Sequence, residues 1–229
     1  MMGNLLVRWI VMGAATVLLG ACAPSKPPKE SGFLGDGYAK LQKEDAPDGG
    51  PRWVYASPRF TPANYRAVLL EPVAFYPEPQ PTAEVSADTL TQIRHYADNS
   101  MRQKLGREVM LTDRAGPGVA RVQVAITAVG TEDQALRPYQ YIPIAFVITG
   151  AKAVVEGGRP QDASIAIETK VTDSMTGEVL YEAVRGGTGE EVSHASQGQG
   201  GVQPDSLRPL IDTWTDGAAQ QIKEFVAQR

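Results

Sequence analysis

Apolar positions along this chain fall into one unbroken run near the start and then into two periodic patterns further on. The run is Trp9 to Leu19, with no charged residue in it. Residues 66–71, Arg-Ala-Val-Leu-Leu-Glu, form a short apolar stretch stopped by Pro72, and they predict a central strand. Residues 73–83 are proline-rich and read as a loop. Ser86 or Asp88 can cap a helix running to about Leu105. Leu90, Ile93, Ala97, Met101 and Leu105 recur in it at helical spacing, and Gly106 is placed to end it. Residues 107–112 predict a second strand, and Gly116-Pro117-Gly118 a turn. From 119 to 131 the pattern alternates. Val122, Val124, Ile126 and Ala128 share one face, with Arg121, Gln123 and Thr127 on the other, as in a half-buried antiparallel strand.

Residues 163–172 alternate likewise through Ile165, Ile167, Thr169 and Val171. The turn 173–177 ends on Gly177, and residues 178–185 return as the hairpin partner. Residues 186–201 read as a long polar loop. Ser206 is a candidate cap for the last helix, with Pro209 in its first turn. Leu207, Leu210, Ile211, Trp214, Ala218, Ile222 and Phe225 form that helix's apolar stripe. Residues 63–229 are thus expected to form one α+β domain. It has a mixed, mostly antiparallel sheet of about five strands, with two long helices on one face.

The first apolar run has a different meaning. Arg8 precedes it, and it is shorter than the roughly 20 residues a spanning helix needs. It ends in Leu19-Gly20-Ala21-Cys22, an aliphatic residue and two small ones before a cysteine. This is the pattern of a lipoprotein export signal over residues 1–21. Cys22 then becomes the acylated first residue of the mature chain, carrying palmitate-type chains. Residues 22–31 are a lipidated tether, rich in proline and charge. Residues 32–62 hold Gly and Pro with Phe33, Tyr38, Trp53, Tyr55 and Phe60, and read as an irregular arm anchored by its aromatic rings.

Charge and cysteine usage narrow the picture. The 229 residues carry a net charge of −4, and loss of Arg8 with the signal makes it −5. No Lys/Arg cluster is present, so nucleic acid is not an expected partner. The single cysteine is Cys22, so the domain is expected to hold together by packing without disulfides.

Residues 137–157 do not fit a simple hairpin. Between Pro138 and Ala151 no residue is charged, and Tyr139 and Tyr141 lead into Ile142, Ile144, Phe146, Val147 and Ile148. Two readings stand: a crossover that covers the core, or an exposed apolar surface for an envelope protein partner or the membrane. Tyr139, Tyr141, Ile142, Ile144 and Phe146 are its candidate contacts.

Catalytic motifs are missing from this reading. His95 sits on the first helix as a solvated residue. His194 lies between Ser193 and Ser196 in sequence, which is not how a fold brings a nucleophile to its base. Gly186-Gly187-Thr188-Gly189 and Gly198-Gln199-Gly200-Gly201 lack the endings of phosphate loops, and Glu190-Glu191 are merely adjacent. No metal or cofactor is expected.

The run Ser31-Gly32-Phe33-Leu34-Gly35-Asp36-Gly37-Tyr38-Ala39-Lys40-Leu41 follows the tether. After it come Glu71-Pro72-Val73, the Gly-Pro-Gly turn and the hairpin Asp173 to Glu178 with its Thr-Gly-Glu. This layout resembles the proteobacterial lipoproteins of domain-of-unknown-function family 3313. The resemblance implies a lipoprotein with an α+β fold and supplies no activity. It also suggests a Gram-negative host. There, Ala23 after the cysteine, in place of the aspartate that retains many lipoproteins in the inner membrane, points to the outer membrane with the domain facing the periplasm. The leading expectation is a non-catalytic envelope lipoprotein that binds or scaffolds an unknown partner, and not an enzyme. The alternatives are a carrier of lipid or another small hydrophobic ligand and, behind it, an unrecognised enzyme. Oligomeric state is left open.

Overall fold

Three long strands occupy the middle of a sheet that two helices cover on one side. The computed structural model describes residues 30–47, 49–133, 161–193 and 201–228. The signal, Cys22, the tether through residue 29, the segment holding Tyr139, Tyr141, Ile142, Ile144 and Phe146, and His194 lie outside the described residues. In chain order the strands are β1 (Gln42–Asp45), β2 (Pro51–Ala56), β3 (Ala67–Leu70), β4 (Ala74–Phe75), β5 (Val119–Asp133), β6 (Gln161–Asp173) and β7 (Val179–Val192). Helix α1 (Ala87–Glu108) lies between β4 and β5, and α2 (Pro204–Ile222) follows β7. The sheet runs β1-β2-β7-β6-β5-β3, with β4 also on β5. Among the described strands only β3 and β4 pair in parallel, both with β5. The fold is α+β, with seven strands among the described residues in place of about five.

Residues 32–62, expected as an irregular arm, supply two of the additional strands; β4 falls within 73–83, expected as a loop, and the strand expected over 107–112 does not form. Residues 32–62 contain a short 3-10 helix, Gly35–Lys40, and the hairpin β1–β2. Strand β1 is exposed at every residue, as a charged sheet edge, so it shows no alternation. In β2 Trp53 and Val54 are both buried, because the strand packs on both faces and again masks the period of two.

Other boundaries move for local reasons. Helix α1 passes through Gly106 to Glu108, and residues 107–112 contribute only single bridges at Val109 and Leu111. Strand β3 ends the row of named strands and is not central. It is apolar because its outer side is closed, with Val68 N–H donating to the Met110 carbonyl at 2.8 Å and Thr112 N–H to the Val68 carbonyl at 2.9 Å. The pairing of β5 with β6 shifts between Ile126 and Ala128. The bulge sends Val129, opposite Ile165, to the face that Ile126 shares with Ile167, and Ala128 to the other. Helix α2 starts at Pro204 after Gln203, with no side-chain cap. Ser206 is buried inside it and Pro209 falls in its second turn.

Strand β7 continues to Val192, through what read as a polar loop. The glycines there are packing residues. A Cβ on Gly187 would stand 2.9 Å from Trp214 Cζ2, and one on Gly189 would overlap the Ser206 carbonyl oxygen. Glycine lets α2 lie directly on β7. The main core, including Ile126, Ile165, Leu180, Leu207 and Trp214, fills the space between sheet and helices. A second small cluster, Leu34, Trp53 and Val184, lies on the opposite face under residues 31–41.

Candidate functional site

Register places two rows of side chains beneath the helices. One row crosses the sheet as Glu44, Arg52, Arg185, Ile167 and Ile126, each opposite the next. The adjoining row is Val54, Ala183, Thr169 and Val124. Ala183 and Thr169 are short, and Ala97 of α1 and Ala218 of α2 above them are equally short. The layers therefore do not close. A cavity of about 100 Å³ remains, walled by Met101, Ile126, Ile165, Tyr181, Ile211 and Trp214 among others. A second of about 100 Å³ adjoins it toward Phe60, Leu105 and Phe225, sharing Met101, Val124, Thr169, Tyr181, Ala218 and Gln221. Both are mostly apolar inside. An engineered apolar cavity of about 150 Å³ is large enough to take benzene.

The polar side chains of the lining lie where β2 and β7 meet α2. Arg52 donates through Nη1 to Gln221 Oε1 at 2.7 Å and pairs through Nη2 with Glu44 Oε1 at 2.6 Å. Its Nε is buried and has no hydrogen-bond partner among the described residues. Arg185 lies 4.8 Å over the Trp214 ring and donates to the Gly49 carbonyl at 2.8 Å. Burial pushes the Tyr181 hydroxyl up to about 12, against the lowering influence of Arg52 and Arg185, so it stays a neutral phenol at physiological pH. Two arginines directly opposite on one face repel. Glu44 pairs with Arg52.

The opposite face carries buried acids under residues 31–41. Tyr38 donates its hydroxyl to Glu168 Oε2 at 2.6 Å, and Ser31 Oγ stands 3.1 Å from the same hydroxyl. Burial raises the Glu168 carboxyl, partly countered by the bonds from Tyr38 and Ser31. Glu182 is fully buried, and neither of its oxygens has a partner among the described residues. Burial raises it too, with Lys170 and Lys40 acting against the rise. Gly37 lies so close that a Cβ there would overlap the Glu182 carboxylate. This explains a glycine in the motif that follows the tether.

The residues singled out in the sequence do not converge. His95 is exposed on α1, with Nε2 3.4 Å from Arg94 Nη2. Ser193, Glu190 and Glu191 are exposed, and Ser196 lies outside the described residues. Gly201, with φ of +92°, passes beneath the Glu84 carbonyl. Sequence reasoning missed Arg52, Arg185, Tyr181 and Gln221. One signal was available: Arg185 shares the inward parity of Tyr181 and Ala183, so the alternation alone puts a charge on the core face. Glu168 and Glu182 occupy the other parity.

The family model described as "Protein of unknown function (DUF3313)" matches residues 29–218. The chain is 30% identical over 182 residues to the "Uncharacterized lipoprotein YdcL" of Escherichia coli K12, covering 78% of this chain and 80% of that one. The figures for the Escherichia coli O157:H7 protein are the same. Among solved structures, the PelC dodecamer from Paraburkholderia phytofirmans aligns with 72% of this chain and 96% of its own at 12% identity. Its TM-score of 0.31 carries no argument about fold or function.

Proposed function

The chain belongs to the DUF3313 family of unknown function, and we propose that it is a lipid-anchored envelope protein that acts by binding a small apolar ligand between its helices and sheet. The observation that carries this reading is the pair of adjoining cavities walled by Met101, Tyr181 and Trp214. Atoms lining a void lack neighbours on one side, and an apolar guest restores those contacts while leaving water. The anchor rests on the lipobox at Cys22, the name of the Escherichia coli relative and the tether that follows. Ala23 after the cysteine supports residence in the outer membrane with the domain in the periplasm.

A neutral probe tests the cavity. The full chain in lipid nanodiscs, titrated calorimetrically with 1-octanol against empty nanodiscs, should bind saturably at one site. Ala218→Phe, which fills both cavities from α2, should abolish that binding without lowering the thermal midpoint. Absence of saturable binding, or binding unchanged in the variant, overturns the reading.

A further inference from the structure

The two adjoining cavities lie end to end along the strands. On the elements that wall them, the lining residues advance in one direction and overlap in the middle. On β6 they pass from Ile165 and Ile167 in the first cavity to Val171 in the second, with Thr169 in both. On β5 Ile126 gives way to Val122 through Val124, and on α1 Ala97 gives way to Leu105 through Met101. On α2 the lining runs from Ile211 through Ala218 and Gln221 to Ile222. The lined stretch extends for about 12 Å along α1, from Ala97 to Leu105, and for about 20 Å along β6, from Ile165 to Val171. Neither cavity alone, at about 100 Å³, reaches the roughly 150 Å³ of an engineered cavity that takes benzene. The space is therefore much longer than it is wide. Its far end is walled by aromatic rings: Phe60 and Phe225 stack with centroids 4.7 Å apart, and Tyr181 is tilted against Phe225 at 5.7 Å.

We propose, resting on the ligand reading above, that the occupant is one unbranched hydrocarbon chain, and that Phe60 and Phe225 set the longest chain accepted. The chain lies along the strands under α1 and α2, passes Met101 and Thr169 where the cavities meet, and ends against the two stacked rings. Each methylene in the passage leaves water and meets wall atoms that otherwise face a void, so affinity accrues carbon by carbon. Ala97, Ala183 and Ala218, the short side chains that leave the space open, stand on three different elements. Thickness is therefore limited from several sides, and a ring or a second chain has no room beside the first.

The test is a series of straight-chain primary alcohols, from 1-butanol to 1-decanol, titrated calorimetrically into the full chain in nanodiscs. Affinities are referred to the free aqueous alcohol, with empty nanodiscs subtracted. Affinity should rise about fourfold per added methylene, the worth of one buried CH₂, until the chain fills both cavities, and then stop rising. Empty nanodiscs should take up the same series with no such limit. Cyclooctanol, with the same number of carbons closed into a ring, should bind about tenfold more weakly than 1-octanol. Phe225→Ala, which opens the end wall, should move the limit to longer alcohols. Leu105→Phe, which fills space in the second cavity alone, should move it to shorter ones. Both variants should keep the parent's affinity for 1-butanol, which reports that they are folded. Equal binding of cyclooctanol and 1-octanol, or a limit that moves in neither variant, overturns the proposal while the apolar-ligand reading stands. Failure of every alcohol to bind saturably overturns that reading as well.

Discussion

At the residue scale, the acids buried under residues 31–41, the strap over the outer sheet face, set a pH dependence of identifiable sign. The native carboxyl of Glu182 is held above the ordinary range by burial, and that of Glu168 likewise. In the window between the unfolded value, about 4.3, and the raised native value, the native state keeps protons that the unfolded chain has released. Stability therefore falls as pH rises through that window and stays lower above it. Asp173 and Asp212 act the other way. Burial alone would raise Asp173, but the Thr176 and Met175 N–H groups and Tyr65 outweigh it. At Asp212 bonds from Tyr96 and Lys104 do the same. Their contribution is present above about 3.9 and is lost as pH falls through their lowered native values. Glu182→Gln isolates the first effect. Its urea midpoint should change less than that of the parent between about pH 5 and about pH 7, and it should be the more stable protein at the higher pH. An identical pH response in parent and variant would show that the Glu182 carboxylate is solvated. None of this was legible in the sequence. Glu168 and Glu182 sit at outward positions of alternating strands, and only the strap, a hundred or more residues earlier in the chain, buries them.

Elements were legible in proportion to how one-sided their surroundings are. The helical spacing in α1 and α2 records one buried face each, and the alternation located β5 and β6, although residues 124–131 are buried on both faces and the bulge turns Ala128 away from the face of Ile126. Strand β2 packs on both faces and β1 on neither, so both lost the signal and passed for an irregular arm. The second half of β7 was hidden by its glycines, which read as loop residues yet are what allow α2 to approach. That gives a prediction specific to this packing. Gly189→Ala, whose new methyl would overlap the Ser206 carbonyl, should lower stability by about 1–3 kcal/mol, seen as a reduced denaturant midpoint at unchanged slope. Gly130→Ala is the matched control in β5. Its methyl would meet only Ser164 Oγ, at 3.9 Å, and the midpoint should hardly move. Equal losses in the two variants would mean that strand glycine entropy, and not the α2 contact, sets the cost.

At the scale of the whole molecule, the proposed anchor and the domain make separate predictions. Among the described residues no helix is long and apolar enough to cross a membrane, and the expected mature charge of −5 gives anionic lipid no reason to attract the domain. On the lipid-anchored reading proposed above, attachment depends on Cys22, since more than one acyl chain is needed for stable anchoring. Cys22→Ser should abolish incorporation of labelled fatty acid, and the parent should sediment with outer-membrane markers in a density gradient. Labelling that persists in the variant, or recovery of the parent with the inner membrane, would contradict the anchor and its sorting respectively. What the sequence by itself determined is local. The uncharged run before Cys22 and the periodicities of two and 3.6 each depend on neighbours a few residues apart; the periodicities specified the α+β class, and the run with Cys22 is the ground on which an export signal is expected. What only the tertiary structure decided is long-range. The opposition of Arg52 to Arg185, the void left where Thr169, Ala183 and Ala218 meet, and the burial of Glu182 beneath Gly37 depend on register between distant strands and on where a helix comes to rest. No window of consecutive residues contains either the pairing or the gap, because both are properties of surfaces that exist only once the layers have packed.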